Sequence, residues 1–590
     1  MKDAFQPVQD RLSDFSQDRR VLVLSLMALV IGCASALVAW GLLWLIAVIT
    51  NLAFFGRYSS TLPSLADHHL GKWLILIPVL GGLIIGVMAK YGSEKIRGHG
   101  IPEALEAILV GRSKMEGKVA ILKPLSSAIS IGTGGPFGAE GPIIMTGGAL
   151  GSLFAQLFHL SAAERKTLLV AGAAGGMSAI FGSPVAAVFL AVELLLFEWR
   201  PRSLVPVAIS SAIAFALRVP FLGGGPIFPI LPHGALNFEG LLIAFGLGIV
   251  AGLFSSFLTV LVYGCEDAFG KLPIHWMWWP ALGGIFVGVG GLVDPRILGV
   301  GYGTIHNLLQ GEILGAAVIG LLVGKALIWS ISLGSGTSGG VLAPLLMMGA
   351  ALGAFGSQFI PMGDAGLWAT IGMAAMMGGT MRSPLTAMVF TLELTHDLNL
   401  LPALLTACIA SYAVNVLLMR RSILTEKVAR RGHHIMREYS VDPFVVRRVG
   451  DVMDPAPPTI PASMKIGDLS NKIAQHDPEL TRHRGLFVVD DQDRLEGVIT
   501  PGDIVRAIEQ GSNSSLSVLE AGNRDVIVTY PDEILYDAVE KMLRNNVGRL
   551  AVVSRQDSRR LVGYLGRVNI MTARLRQMEE EHVREKGIQF

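Results

Sequence analysis

The sequence predicts an α-helical polytopic membrane protein built from two related halves, followed by a small α/β module that is itself a tandem pair. Three observations carry this. Only 16% of the residues are charged while 51% are hydrophobic, against about 25% charged in soluble domains. A set of Gly-rich motifs recurs at a nearly constant offset through the apolar region. Beyond Met419 the composition turns to short aliphatic strands and charged helices.

The first observation fixes the solvent. Mean hydropathy is +0.54, and the 70 glycines and 29 prolines suit transmembrane helices, which carry more of both than soluble ones. A net charge of +2 provides no electrostatic footprint for nucleic acid. Cys33, Cys265 and Cys408 lie in apolar stretches without metal-ligand spacing, so they read as reduced packing residues. Residues 1–20 are polar and mixed in charge, and the apolar run from Val21 to about Val48 is too long for a signal-peptide core. This first segment is expected to be cytosolic. Arg19 and Arg20 precede the run, and Arg420, Arg421, Lys427, Arg430 and Arg431 follow the last apolar segment. The positive-inside rule then places both ends in the cytoplasm. Stretches such as Leu74–Ala89, Leu241–Tyr263 and Ala316–Ile331 approach the roughly 20 residues of a span. The membrane part is expected over 21–435.

The second observation is a duplication. Gly98-His99-Gly100 recurs as Gly301-Tyr302-Gly303, and Lys123 as Lys325. Ile129 to Gly132 recurs as Ile331 to Gly334, Gly138 to Pro142 as Gly340 to Pro344, and Gly148 to Gly151 as Ala350 to Gly353. Ser183-Pro184 with Glu193-Leu194 recurs as Ser383-Pro384 with Glu393-Leu394. The offset drifts only from 203 to 202 to 200 residues. The halves are expected at about 21–225 and 235–420. Duplicated membrane units with broken helices place their substrate site where the repeats meet.

The motifs themselves point to an anion. Gly98 to Pro102, Gly138 to Pro142 and Gly340 to Pro344 each pair a Gly-rich turn, which permits close backbone approach, with proline suited to the first helical turn. Free N–H groups and the positive end of the helix dipole then face the ligand. The ionisable residues deep in the apolar region are Lys123, Glu140, Glu193, Lys325 and Glu393, and such residues are functional candidates. Glu140 is the one inside a Gly-rich turn. As a carboxylate at a helix N-terminus, it could occupy the anion position when charged and leave when protonated. A fixed helix cap is the other reading, and spacing alone leaves both open.

Three of these motifs resemble those of the CLC family of chloride channels and proton–chloride antiporters. Gly98-His99-Gly100-Ile101-Pro102, Gly138-Ala139-Glu140-Gly141-Pro142 and Gly340-Val341-Leu342-Ala343-Pro344 stand in order for its Gly-Ser-Gly-Ile-Pro, Gly-Arg-Glu-Gly-Pro and Gly-Ile-Phe-Ala-Pro. The resemblance implies an inverted repeat of two halves and a homodimer with one anion pathway per subunit. It implies voltage-type gating with Glu140 as gate. The anion would be held by backbone around His99, Gly100, Ile101, Gly138, Gly141, Val341 and Leu342.

The departures are specific. The family's pore serine is His99 here, its phenylalanine Leu342, and its pore tyrosine falls at Leu424. An imidazole can donate one hydrogen bond in place of serine; a neutral cap turned away from the pore is the alternative, and the pore-facing role is preferred. Leu424 would be an apolar constriction. The antiporters' internal proton acid falls at Leu194, which carries no proton, so a gated anion channel is favoured over a proton-coupled antiporter. Glu193 and Glu198 are left as alternative relays, with a structural role for Glu193 supported by its repeat partner Glu393.

The tail repeats as well. Gly485 to Asp490 with Gly497 to Asp503 makes one copy, and Gly548 to Val553 with Gly563 to Asn569 the other. This resembles a tandem CBS pair, expected at 446–510 and 515–577 with a charged tail at 578–590. The stretch from Arg574 to Lys586 is helical in pattern. Thr500 and Asp503 match the residues that contact nucleotide in such pairs, whereas Gly566 and Asn569 do not match fully. One site for ATP, ADP or AMP, or a platform without ligand, are both open. No cofactor is required. A CBS-regulated divalent cation transporter would need convergent carboxylates, which the Gly-rich turns lack. No nucleophile–base constellation marks an enzyme. The expected partners are chloride or another small anion, membrane lipid and a second subunit. The expected location is a bacterial inner membrane.

Overall fold

The computed structural model describes residues 20–433, 447–477, 480, 485–509, 516–582 and 584–585. Of the N-terminal segment only Arg20, and of the charged tail only 578–582 and 584–585, are among them; the rest of both lies outside the described residues. The chain divides into two compact units, one of residues 1–439 with 584–590 and the other of residues 440–583.

The first unit is helical. α1 (Arg20–Phe55), α2 (Leu76–Tyr91), α3 (Ile101–Leu109), α4 (Gly117–Gly132), α5 (Glu140–Gln156), α6 (Ala162–Phe181), α7 (Pro184–Leu190) and α8 (Pro201–Leu222) make the first half. α9 (Phe238–Gly270), α10 (Trp279–Val293), α11 (Tyr302–Leu309), α12 (Ala316–Gly334), α13 (Leu342–Gly356), α14 (Ala365–Met381), α15 (Pro384–Thr395) and α16 (Leu401–Leu418) make the second. α17 (Ile423–Arg430) follows and packs on α3. Eight helical segments among the described residues are long and apolar enough to cross a membrane.

The duplication is visible in the packing. α5 pairs with α6 as α13 pairs with α14, and all four are buried on nearly every face. Small residues let these backbones touch: methyl groups at Gly147 and Gly172 would each strike the other's carbonyl, and so would methyls at Gly349 and Gly372. In an apolar solvent such close approach is what holds helices together. Both half-units also contain short helices that start on a Ser-Pro pair. Ser183 and Ser383 precede α7 and α15, with proline in the first turn. After α7 the backbone continues as a turn of π-helix over Ala191–Leu196 and stops at Phe197, which has φ +53°.

The second unit is α/β. Strand Leu486–Val489 pairs parallel with Thr459–Pro461 and antiparallel with Leu495–Ile499. Strand Arg549–Val553 pairs parallel with Val528–Thr529 and antiparallel with Leu561–Gly566. Both antiparallel pairs are irregular at the same place, between Val488 and Val489 and between Val552 and Val553. Helices Ile466–Ala474 and Leu535–Arg544 precede the copies' central strands, and Pro501–Glu509 and Arg567–His582 close them. Phe487 and Tyr564 join the copies, 5.9 Å apart.

Candidate functional site

The Gly-rich turns of both halves meet. Gly138 and Gly340 exchange backbone hydrogen bonds at 3.3 and 2.9 Å, and Gly98 N–H donates to the Thr337 carbonyl at 3.1 Å. A methyl at Gly141 would strike the His99 carbonyl and lie 3.2 Å from Gly340 Cα. The starts of α3, α5 and α13 therefore come together at one point between the repeats. α3 begins on Ile101, α5 on Glu140 followed by Gly141, and α13 on Leu342, all of them buried, so the free N–H groups of three helices face a place from which water is excluded.

Two lysines hold the turns. Lys123 Nζ donates to the carbonyls of Ile96 and Gly98 at 2.8 and 2.7 Å and to Ser338 Oγ at 3.1 Å. Lys325 Nζ donates to the carbonyls of Ile297 and Gly299, both at 2.9 Å. Both are fully buried. Repeat-related lysines thus knot the loops leading into α3 and α11 onto α4 and α12. Ser338 also meets Ser126 and Ser127 at 3.1 and 2.9 Å, which ties the two halves. Sequence reasoning flagged both lysines but missed Ser338; the hydroxyl-rich Gly336-Thr337-Ser338-Gly339-Gly340 turn was its signal.

Glu140 is the first residue of α5 and is fully buried. Its side chain folds back over Gly138, where a methyl would collide with the carboxylate, and a methyl at Gly340 would lie 2.8 Å from Oε2. Neither carboxylate oxygen completes a hydrogen bond, although the N–H groups of Glu140 itself and of Ala343 face them. A buried carboxylate without partners is costly, and such groups in native folds call for an explanation.

The other predicted residues fall as follows. His99 is 2% exposed, and its Nδ1 has no partner. Gly100 has φ +90°, a conformation glycine takes without strain. Its N–H donates to Glu103 at 2.9 Å, and Glu103 is paired with Arg431 at 2.8 Å. Val341 is buried beside Leu342, and Leu424 is buried in the first turn of α17. Next to it, Tyr263 donates to the Ile423 carbonyl at 2.5 Å, so a hydroxyl from α9 stands close to where Leu424 has none. Near this end of α3 lies a cavity of about 540 Å³ lined by Arg97, Glu103, Glu266, Lys427, Arg430 and Arg431 among others. Lys427 Nζ reaches to 2.5 Å from where a methyl on Gly98 would be.

Leu194 lies in the π-helical turn and is fully buried. Glu193 accepts from Leu385 and Thr386 at the start of α15, and Glu393 from Val185 and Ala186 at the start of α7. Glu198 accepts from Ser203 Oγ at 2.6 Å and lies 3.6 Å from Arg200. Among the described residues no three His, Cys, Asp or Glu side chains are grouped to hold a metal ion. In the second unit Thr500 donates to Asp503 through Oγ1 at 2.6 Å and through its N–H at 2.9 Å. Gly566 N–H donates to Asn569 at 3.0 Å. The same turn is thus capped in both copies, with a hydroxyl only in the first.

A site made of opposed broken-helix starts where two repeats meet is the arrangement of membrane transport proteins. The sequence profile described as "Voltage gated chloride channel" matches residues 81–416, and that of the CBS domain matches 449–510 and 518–576. The chain belongs to the voltage gated chloride channel family, a family of multi-pass chloride-transporting membrane proteins, and carries two CBS domains. It is 28% identical over 423 residues to the Voltage-gated ClC-type chloride channel ClcB of Escherichia coli (strain SMS-3-5 / SECEC), covering 69% of this chain and 99% of that one. Among solved structures it is similar to a slow cyanobacterial Cl-/H+ antiporter, at TM-score 0.62 and 24% identity over 70% of this chain and 99% of the other. A eukaryotic CLC transporter matches at TM-score 0.61 and 18% identity over 93% and 98%. At these identities the two structures establish the fold.

Proposed function

We propose that this chain is a gated anion channel in which Glu140 is the gate. The observation that carries the proposal is the Glu140 carboxylate, fully buried among three helix starts with neither oxygen hydrogen-bonded. A fixed cap would accept from the first-turn N–H groups of its helix. A carboxylate seated where an anion would sit, and without those bonds, has little to lose on leaving. Val341, Leu342, Ile101 and Gly141 then supply backbone N–H groups to the anion, and His99, with Nδ1 unpartnered, replaces the missing hydroxyl. Leu424 narrows the path.

Passive conduction is preferred to proton coupling because the internal acid position is Leu194. The two alternative relays are engaged elsewhere, Glu193 on α15 and Glu198 on Ser203 and Arg200. The unit is proposed to work as a homodimer in a bacterial inner membrane, with both termini cytoplasmic. The CBS pair is proposed as a regulatory module with one weak adenine-nucleotide site at most, at Thr500 and Asp503. The test is the reversal potential of the purified protein in liposomes with opposed chloride and proton gradients. A potential that follows chloride alone supports the channel, and one that shifts with the proton gradient makes it an antiporter. Titration of the full chain with ATP and AMP addresses the module, where two tight sites would contradict the reading.

A further inference from the structure

A gate that leaves its seat needs somewhere to go. Tyr302 opens α11 at the position that His99 holds before α3 in the other half. Its hydroxyl is buried without any hydrogen-bond partner. The ring is held edge-on by Phe181 at 6.5 Å and Phe228 at 5.9 Å, and Phe181 in turn by Phe390 at 4.9 Å. This is an aromatic box with one polar atom at its end. Buried phenol hydroxyls in native folds ordinarily find a partner, so an idle one is a donor in waiting. Its helix packs on α13, and the turn before α13 is the wall against which Glu140 rests, through Gly340. The hydroxyl and the Glu140 carboxylate lie within electrostatic reach of one another.

We propose that Tyr302 is the docking residue of the gate: its hydroxyl donates to the Glu140 carboxyl group when that side chain swings out of the anion position. The inference rests on the gate reading above and adds the partner of the open state. Tyr302 acts through Glu140 and is therefore a positioning residue. The titratable groups that face Glu140 are Tyr302 itself and Lys325 from α12. Lys325 keeps its Nζ on the Ile297 and Gly299 carbonyls, which leaves Tyr302 to receive the gate. The aromatic box supplies the rest of the pocket, since a protonated carboxyl is a nearly neutral guest for Phe181 and Phe228.

The experiment is anion flux against pH in liposomes for the wild type, Tyr302→Phe, Glu140→Ala and the double variant. Tyr302→Phe keeps the box and removes only a hydroxyl without a resting partner, so thermal stability should be unchanged or raised. Losing one hydrogen bond of the open state should move the flux curve about half to one unit toward lower pH. In the Glu140→Ala background, which should be pH-independent, the second substitution should do nothing. An unshifted curve for Tyr302→Phe, with Glu140→Ala still abolishing pH dependence, overturns the docking role alone. An equal fractional loss of flux with and without Glu140 overturns it too, because Tyr302 would then act on the path directly. If Glu140→Ala keeps the wild-type pH profile, the gate reading itself fails and takes this one with it.

Discussion

Glu193 and Glu393 cap each other's helices across the repeat interface. Glu193 accepts from the N–H groups of Leu385 and Thr386 at 3.3 and 2.8 Å, and from Thr386 Oγ1 at 2.6 Å. Glu393 accepts from Val185 and Ala186 at 2.9 and 2.8 Å. Two acids at the same repeat position thus satisfy the orphan donors of two short, proline-started helices, where a negative charge also complements the helix dipole.

This geometry separates structure from proton transport. Glu193→Gln and Glu393→Gln should each cost about 1 kcal/mol, the usual worth of a cap, and should lower the melting temperature of the detergent-solubilised protein together. Neither should alter the reversal potential under opposed chloride and proton gradients. A change of potential in Glu193→Gln alone would make that residue a relay and not a cap.

Lys123 and Lys325 carry a heavier burden. Each satisfies two buried backbone carbonyls that have no water to turn to. Replacement by methionine keeps the volume and deletes every one of these bonds. With an unsatisfied buried polar group costing about 1–3 kcal/mol, each substitution should remove about 2–6 kcal/mol. Lys123→Met and Lys325→Met should therefore yield aggregated or protease-sensitive protein by size-exclusion and limited proteolysis. A monodisperse, wild-type-stable Lys325→Met would show that these carbonyls find other donors.

How these residues could be read beforehand differs by kind. The duplication, the Gly-rich turns and Glu140 were legible because they are local strings that repeat at a fixed offset. The tandem copies of the second unit were legible for the same reason, down to the matched turns after Ile499 and Leu565. The reciprocity of Glu193 and Glu393 was not, since it pairs residues 200 positions apart, although their shared repeat position did indicate a structural role. Lys123 and Lys325 stood out as buried charges without showing what they hold. Tyr302 was visible only as the counterpart of His99. Its aromatic box is assembled from α6, α11, α15 and the segment between the halves, and no periodicity encodes that. The π-helical turn at Ala191–Leu196 left no mark on a uniformly apolar run.

His99 should set selectivity. An imidazole nitrogen at the start of α3 is a longer and differently angled donor than a serine hydroxyl, and its Nδ1 is free of partners. His99→Ser should change the permeability ratios among chloride, nitrate and fluoride by about 2- to 10-fold, the worth of one hydrogen bond. Bi-ionic reversal potentials read this directly. Identical ratios in both proteins would turn His99 away from the path.

In the second unit the acid to watch is Glu533. Its partial burial would raise its pKa, but hydrogen bonds from Lys541 and Thr529 and the charge of Lys541 outweigh that and hold the carboxyl below the usual carboxylate range. Lys541 Nζ lies 2.6 Å away, and Thr529 Oγ1 donates at 2.6 Å. These contacts fasten strand Val528–Thr529 to helix Leu535–Arg544. Because the folded-state pKa is depressed, the stabilisation is fully present above the unfolded value of about 4.3 and is lost as pH falls through the folded value. Amide exchange in strands Val528–Thr529 and Arg549–Val553 of the intact protein should therefore lose protection, measured against the intrinsic exchange rate at each pH, below about pH 4. In Glu533→Gln it should already be faster at pH 7, by an amount equivalent to about 1–2 kcal/mol, and should respond less to acid. A variant whose exchange keeps the wild-type acid response would place the titrating group elsewhere in the module.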